Sequence, residues 1–70
     1  VVECSPEESI RSIAQRMNDQ KRGCLPVTVC DGGHKRLVGI ITDRDLACRA
    51  VAQGLDPERT EAGRCMSFPV

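Results

Sequence analysis

Hydrophobic and polar positions follow two different periods along the chain, and the changes of period mark where helices give way to strands. Ile10, Ile13, Ala14 and Met17 recur at i, i+3, i+4 and i+7, with Arg11, Gln15, Arg16 and Asn18 between them. That spacing predicts an amphipathic helix with one stripe meant for burial. Ser5-Pro6-Glu7-Glu8 supplies an N-cap, a proline at the first helical position and a glutamate at N3, so the helix is expected to start at Pro6. It should fade near Gln20, where Lys21 and Arg22 suit a helix C-terminus and Gly23 can take the left-handed conformation that ends it. Ahead of the helix, Val1-Val2-Glu3-Cys4 reads as a short strand.

The period then shortens. Cys24 to Cys30 is rich in β-branched residues and bounded by turn formers, with Pro26 tolerable near a strand start or at an edge. Asp31 to Arg36 is a polar reversal, and Leu37-Val38-Gly39-Ile40-Ile41 is a further strand, so the two should form an antiparallel hairpin. Its nearly continuous apolar character is expected of a strand covered on both faces. Thr42-Asp43-Arg44-Asp45 opens a second helix with a Thr-x-x-acid cap, carried on by Leu46, Ala47, Ala50 and Val51 as far as Gly54. Leu55-Asp56-Pro57 stops it, and the mixed tail from Thr60 reads as a linker. The fold class is α+β: a small three-stranded sheet with two helices on one face. The other face is left for another copy.

Composition sharpens that expectation. Seventy residues that are 40% hydrophobic, with one phenylalanine and no tryptophan or tyrosine, can bury only a thin aliphatic core. Ten basic residues balance ten acidic ones, so no global field draws the chain to nucleic acid or to an anionic membrane. Lys21-Arg22 and His34-Lys35-Arg36 lack interleaved aromatics, which argues further against nucleic acid. No apolar run approaches the ~20 residues that span a bilayer. The chain opens without methionine and reads as a piece excised from a longer parent.

The five cysteines, Cys4, Cys24, Cys30, Cys48 and Cys65, contain no Cys-x-x-Cys pair, and they are read as reduced thiols of a cytoplasmic protein. Structural zinc usually shows close ligand pairs, and a nucleophilic cysteine needs a base, so neither a metal site nor a thiol enzyme is expected. Cys30 and Cys48 are read as small core residues, His34 as a solvated turn residue, and Met17, Met66 and Phe68 as core or interface packing. With no paired acid and base either, catalysis is expected to lie outside this chain.

The order βαββα, with Gly23-x-Leu25-Pro26-Val27 followed by Leu37-Val38-Gly39-Ile40-Ile41-Thr42-Asp43-Arg44-Asp45-Leu46, resembles the cystathionine-beta-synthase-type (CBS) repeat of Bateman modules. By this resemblance residues 1–64 form a single repeat. Cys65-Met66-Ser67-Phe68-Pro69-Val70 is then the start of a following repeat, or a linker. The resemblance implies that two repeats pack through their sheets, within one parent chain or across a homodimer. It also implies that the cleft between them binds an adenosine-containing ligand such as AMP, ADP, ATP, S-adenosylmethionine or NAD, with no cofactor required. Asp45 would accept from ribose hydroxyls, as carboxylates do in dinucleotide folds. Thr42 would face ribose or phosphate, and Arg44 would offset the charge that Asp43 and Asp45 set against a phosphate. Ser5, Cys24, Leu25 and Pro26 would lie beside the base. An alternative stands next to this one: Thr42 and Asp45 complete a capping box that needs no ligand, and the repeat is a structural dimerisation unit.

Overall fold

Two consecutive glycines with positive φ, Gly32 at 57° and Gly33 at 84°, reverse the chain between β1 (Cys24–Asp31) and β2 (His34–Thr42). Positive φ at both turn positions suits a two-residue hairpin, because that turn's twist matches the right-handed twist of the strands it joins. The structure is a computed structural model and describes residues 2–68. The antiparallel ladder runs from Asp31 opposite His34 to Cys24 opposite Thr42, with an irregularity between Val27 and Thr28. The expected hairpin is thus present, and β2 begins at His34 rather than Leu37 because the basic residues of the reversal join the ladder.

The sheet has two named strands, where three were expected. The opening segment contributes a single parallel bridge, Cys4 to Val27: Cys4 N donates to the Pro26 carbonyl at 3.0 Å, and Thr28 N donates to the Cys4 carbonyl at 2.9 Å. Val1, the start of that expected strand, lies outside the described residues, as do Pro69 and Val70. On the far edge, Ser67 bridges Ile40 antiparallel. The hairpin is therefore lengthened sideways by one residue pair on each side.

The helix α1 (Ile10–Gln20) starts later than Pro6, capped by Ser9, whose Oγ accepts from Ser12 N at 3.1 Å. Ser5 is not its cap. Pro6, Glu8 and Ile10 spend backbone groups on the tail instead: Gly63 N donates to the Pro6 carbonyl at 2.8 Å, Ala62 N to the Glu8 carbonyl at 2.8 Å, and Ile10 N to the Thr60 carbonyl at 2.9 Å. At the other end it is Lys21, with φ 54°, and not Gly23 that takes the left-handed position. Ala14, assigned to the buried stripe, is exposed; Ile10, Ile13 and Met17 carry the burial.

Thr42 caps α2 (Asp43–Asp45) as the sequence predicts, but the helix then widens into a π-helical stretch, Leu46–Val51. Bonds from Ala52 N to the Ala47 carbonyl and from Leu55 N to the Ala50 carbonyl, at 2.9 and 3.0 Å, carry its five-residue spacing. A last short helix, α3 (Ala62–Cys65), follows.

The core is aliphatic and small: Ile10, Ile13, Met17, Leu25, Val27, Ile41, Ala50 and Ala62, with Cys4 and Cys65. Two thiols are thus interior, but not those expected. Cys30 and Cys48 are exposed, as is Cys24. Cys30 faces Lys35 near the hairpin tip, beyond the reach of the core, and Cys48 sits on the solvent side of the π-helical stretch between exposed Ala47 and Arg49. Phe68, expected to pack, is 71% exposed, and β2 leaves Leu37 and Ile40 at 55% and 37%. Among the described residues no helix is long and apolar enough to cross a membrane.

Burial, reinforced by the neighbouring Glu8 carboxylate, pushes the Cys4 thiol up to about 11, and burial raises Cys65 as well. Iodoacetamide on the native protein is therefore expected to modify Cys24, Cys30 and Cys48, and to reach Cys4 and Cys65 only after denaturation; mass-mapped adducts check this. Cys4 is held neutral by folding, so its contribution to stability is complete below pH 9.0 and is lost as pH rises towards about 11. Urea melts across that window should fall less steeply for Cys4→Ala than for the native chain.

Candidate functional site

The first turn of α2 is built by reciprocal hydrogen bonds. Thr42 Oγ1 accepts from Asp45 N at 3.0 Å, and Asp45 Oδ2 accepts from Thr42 N at 3.0 Å. Asp43 N donates to the Gly23 carbonyl at 2.8 Å, which ties the start of β1 to the same turn. Cys24 lies opposite Thr42 in the ladder and is exposed, and Arg44 projects into solvent beside them. Thr42, Arg44, Asp45 and Cys24 thus share one end of the hairpin.

Asp45 is the unusual member, a carboxylate only 7% exposed. A buried charge must be matched by donors. Besides Thr42 N, it receives the Ser67 hydroxyl, 3.1 Å from Oδ1 and 3.3 Å from Oδ2, and the Arg49 guanidinium at 3.6 Å. Arg49 also donates to the Met66 carbonyl at 3.3 Å. Gly39 makes room for this approach: a Cβ there would stand 2.7 Å from Met66 Sδ and 2.9 Å from the Ser67 carbonyl oxygen. Sequence reasoning missed Ser67 and Arg49. Arg49 was legible as the i+4 partner of Asp45, whereas nothing local marks Ser67, twenty-two positions away.

The remaining candidates fall differently. Leu25 has no exposed surface, so its side chain belongs to the core and cannot pack on a base; only its main chain borders the site. Pro26 is half-buried, and its carbonyl already accepts from Cys4 N at 3.0 Å. Ser5 is exposed and stands at a separate hollow of about 330 Å³, with Thr28, Cys30 and Lys35 along the tip half of the hairpin. The Lys35–Glu3 pair at 2.5 Å and the Arg16–Glu8 pair at 2.8 Å neutralise its charged walls. Ser5 is therefore not gathered with Thr42. A second hollow of about 280 Å³, lined chiefly by Ile10, Ala14, Leu46, Ala50 and Val51, lies between α1 and the π-helical stretch. Among the described residues no cluster of three or more His, Cys, Asp or Glu is placed to hold a metal ion.

The family described as "CBS domain" matches residues 1–51. Hypoxic response protein 1 of Mycobacterium tuberculosis (strain ATCC 25618 / H37Rv) is 40% identical over 56 residues, which cover 80% of this chain and 37% of that protein. The chain spans about a third of the length of the curated relatives it matches. A crystal structure of Hypoxic Response Protein I with two coordinated zinc ions superposes with a TM-score of 0.83 at 35% identity, covering 94% of this chain and 52% of that one. The CBS domain protein PAE2072 of Pyrobaculum aerophilum, complexed with AMP, superposes with a TM-score of 0.75 at 29% identity, covering 100% of this chain and 53% of that one.

Loss of the capping hydroxyl in Thr42→Ala is expected to cost about 1 kcal/mol in urea unfolding. Gly39→Ala should cost more, because the added methyl drives into Met66 and the main chain of Ser67. The check is whether its exchange protection is lost first at the paired Ile40 and Ser67 amides.

Proposed function

The chain belongs to the CBS domain family, and from that premise we propose that it is one half of a regulatory ligand-sensing module. It pairs with a second repeat, in its parent chain or across a homodimer, and an adenosine-containing nucleotide occupies the cleft between them. The AMP complex of the Pyrobaculum aerophilum protein is the observation that carries this reading, since a chain of this fold and roughly twice this length is complexed with such a ligand. The exposed Leu37 and Ile40 on β2 support pairing through the sheet.

In this reading Asp45 accepts the ribose hydroxyls, and the Thr42 hydroxyl turns to ribose or phosphate. Arg44, free in solvent, supplies the positive charge a phosphate needs beside Asp43 and Asp45. Cys24 and the main chain at Leu25 and Pro26 border the base, while Ser5 takes part only if the second repeat folds the ligand towards the tip half of the hairpin. The ligand is AMP, ADP, ATP, S-adenosylmethionine or NAD. The output is a shift between pairing arrangements, which requires the ligand to bind them unequally. Catalysis belongs to whatever cytoplasmic enzyme, channel or partner the module controls.

A second reading, a pairing repeat without a ligand, has one observation in its favour: Thr42, Ser67 and Arg49 already satisfy Asp45. A thermal-shift panel of AMP, ADP, ATP, S-adenosylmethionine and NADH on the assembled protein separates the two. A nucleotide at 100 times its dissociation constant should add about 2.7 kcal/mol of stability, and Asp45→Ala should remove that gain. Bound nucleotide should also slow alkylation of Cys24 while leaving that of Cys48 unchanged. A flat response to all five would leave the purely structural reading.

A further inference from the structure

Ser67 belongs to no ligand-binding set inferred from the sequence, yet it occupies the acceptors that a ribose would need. Its hydroxyl spans both oxygens of Asp45, at 3.1 and 3.3 Å. Its main chain is pinned to the edge of β2, with Ile40 N donating to the Ser67 carbonyl at 2.9 Å and Ser67 N to the Ile40 carbonyl at 2.8 Å. Arg49 clamps both parties, standing 3.6 Å from Asp45 Oδ1 and 3.3 Å from the Met66 carbonyl oxygen. The bare Cα of Gly39 lets the segment lie this close. Met66, Ser67 and Phe68 therefore form a strap across one side of Asp45.

The chemistry of the acceptor makes this strap replaceable. Asp45 is nearly withdrawn from water, so its oxygens cannot stay without donors. A serine hydroxyl has one proton to give, and here it is shared between two oxygens. A vicinal diol has two, directed at the same pair of acceptors, so it can replace the serine while leaving the Thr42 N–H in place. Diol and serine cannot both be seated.

Resting on the reading that Asp45 receives a ribose, we propose that the Met66–Phe68 strap is an intramolecular competitor for the nucleotide, and that binding moves Ser67 off Asp45 and loosens the strap from β2. Occupancy of the site is thereby converted into a movement of the segment that leaves the repeat. The coupling is reciprocal, so whatever weakens the strap tightens the nucleotide.

The test compares AMP and ATP titration calorimetry of the assembled native protein with Ser67→Ala, Ser67→Thr and Asp45→Asn, alongside hydrogen exchange at the Ile40 and Ser67 amides. Competition predicts binding about fivefold tighter in Ser67→Ala, as expected on removing one rival hydrogen bond. Ser67→Thr should stay near native, binding should be lost in Asp45→Asn, and both amides should exchange faster when AMP or ATP is added. Asp45-dependent binding that Ser67→Ala leaves unchanged or weakens, with exchange unmoved, overturns the strap and leaves the ligand reading standing. Absence of binding to both native and Ser67→Ala protein overturns the two together.

Discussion

The two ends of the repeat are stitched to each other by main-chain hydrogen bonds, and the rest of the structure depends on that closure. Pro6 and Glu8 accept from Gly63 and Ala62, Ile10 N donates to Thr60, and Cys4 is bonded into β1. Without these bonds the two-stranded hairpin would have only α1 and the π-helical stretch to pack against, and a hairpin with little to cover it is at best marginal in water. With them, Cys4, Ala62 and Cys65 are drawn into a core otherwise supplied by α1, the hairpin and Ala50 of the π-helical stretch. The closure also delivers Ser67 to the far edge of β2. The geometry around Asp45 is thus a consequence of how the ends meet.

That dependence explains which parts of the fold were legible in the sequence. The hairpin could be read because turn chemistry and β-branched residues are local signals, and Thr42 to Asp45 because a capping box is complete within four positions. The start of α1 was misplaced for the opposite reason. Ser5-Pro6-Glu7-Glu8 is as good a helix start as Ser9 by local rules, and only a partner more than fifty residues away decides between them. Cys30 and Cys48 were assigned to the core on residue type alone, whereas Cys4 and Cys65 lie there because the closure puts them there. The widening of the second helix into π spacing has no evident local marker in Leu46 to Val51.

The candidate site divides along the same line. Thr42, Arg44, Asp45 and Cys24 come together because they sit on one continuous strand-to-helix corner and its ladder neighbour. Leu25 was placed beside the base by resemblance, but strand alternation turns its side chain inward, as it does for Val27. Ser5 depends on the path of the opening segment, which bonds near the middle of β1 and not at its start. What the resemblance could convey was the corner, and what it could not convey was the tail that shares the corner's carboxylate.

A buried carboxylate must be matched by donors, and Asp45 has three kinds of them, so on the proposed reading it is structural and exchangeable at once. Removing a partner from a buried charge costs more than the net worth of the bond, because the group is left desolvated and unmatched. A ligand that supplies replacement donors avoids that penalty, so the same burial that makes Asp45→Ala costly for the fold favours an exchange of one donor for another. A capping box and a binding site are therefore compatible uses of these atoms. The capping bond from Thr42 N fixes the carboxylate in one orientation, and the Ser67 hydroxyl, on a side chain with a single rotatable bond to its oxygen, is the donor that the proposed exchange gives up.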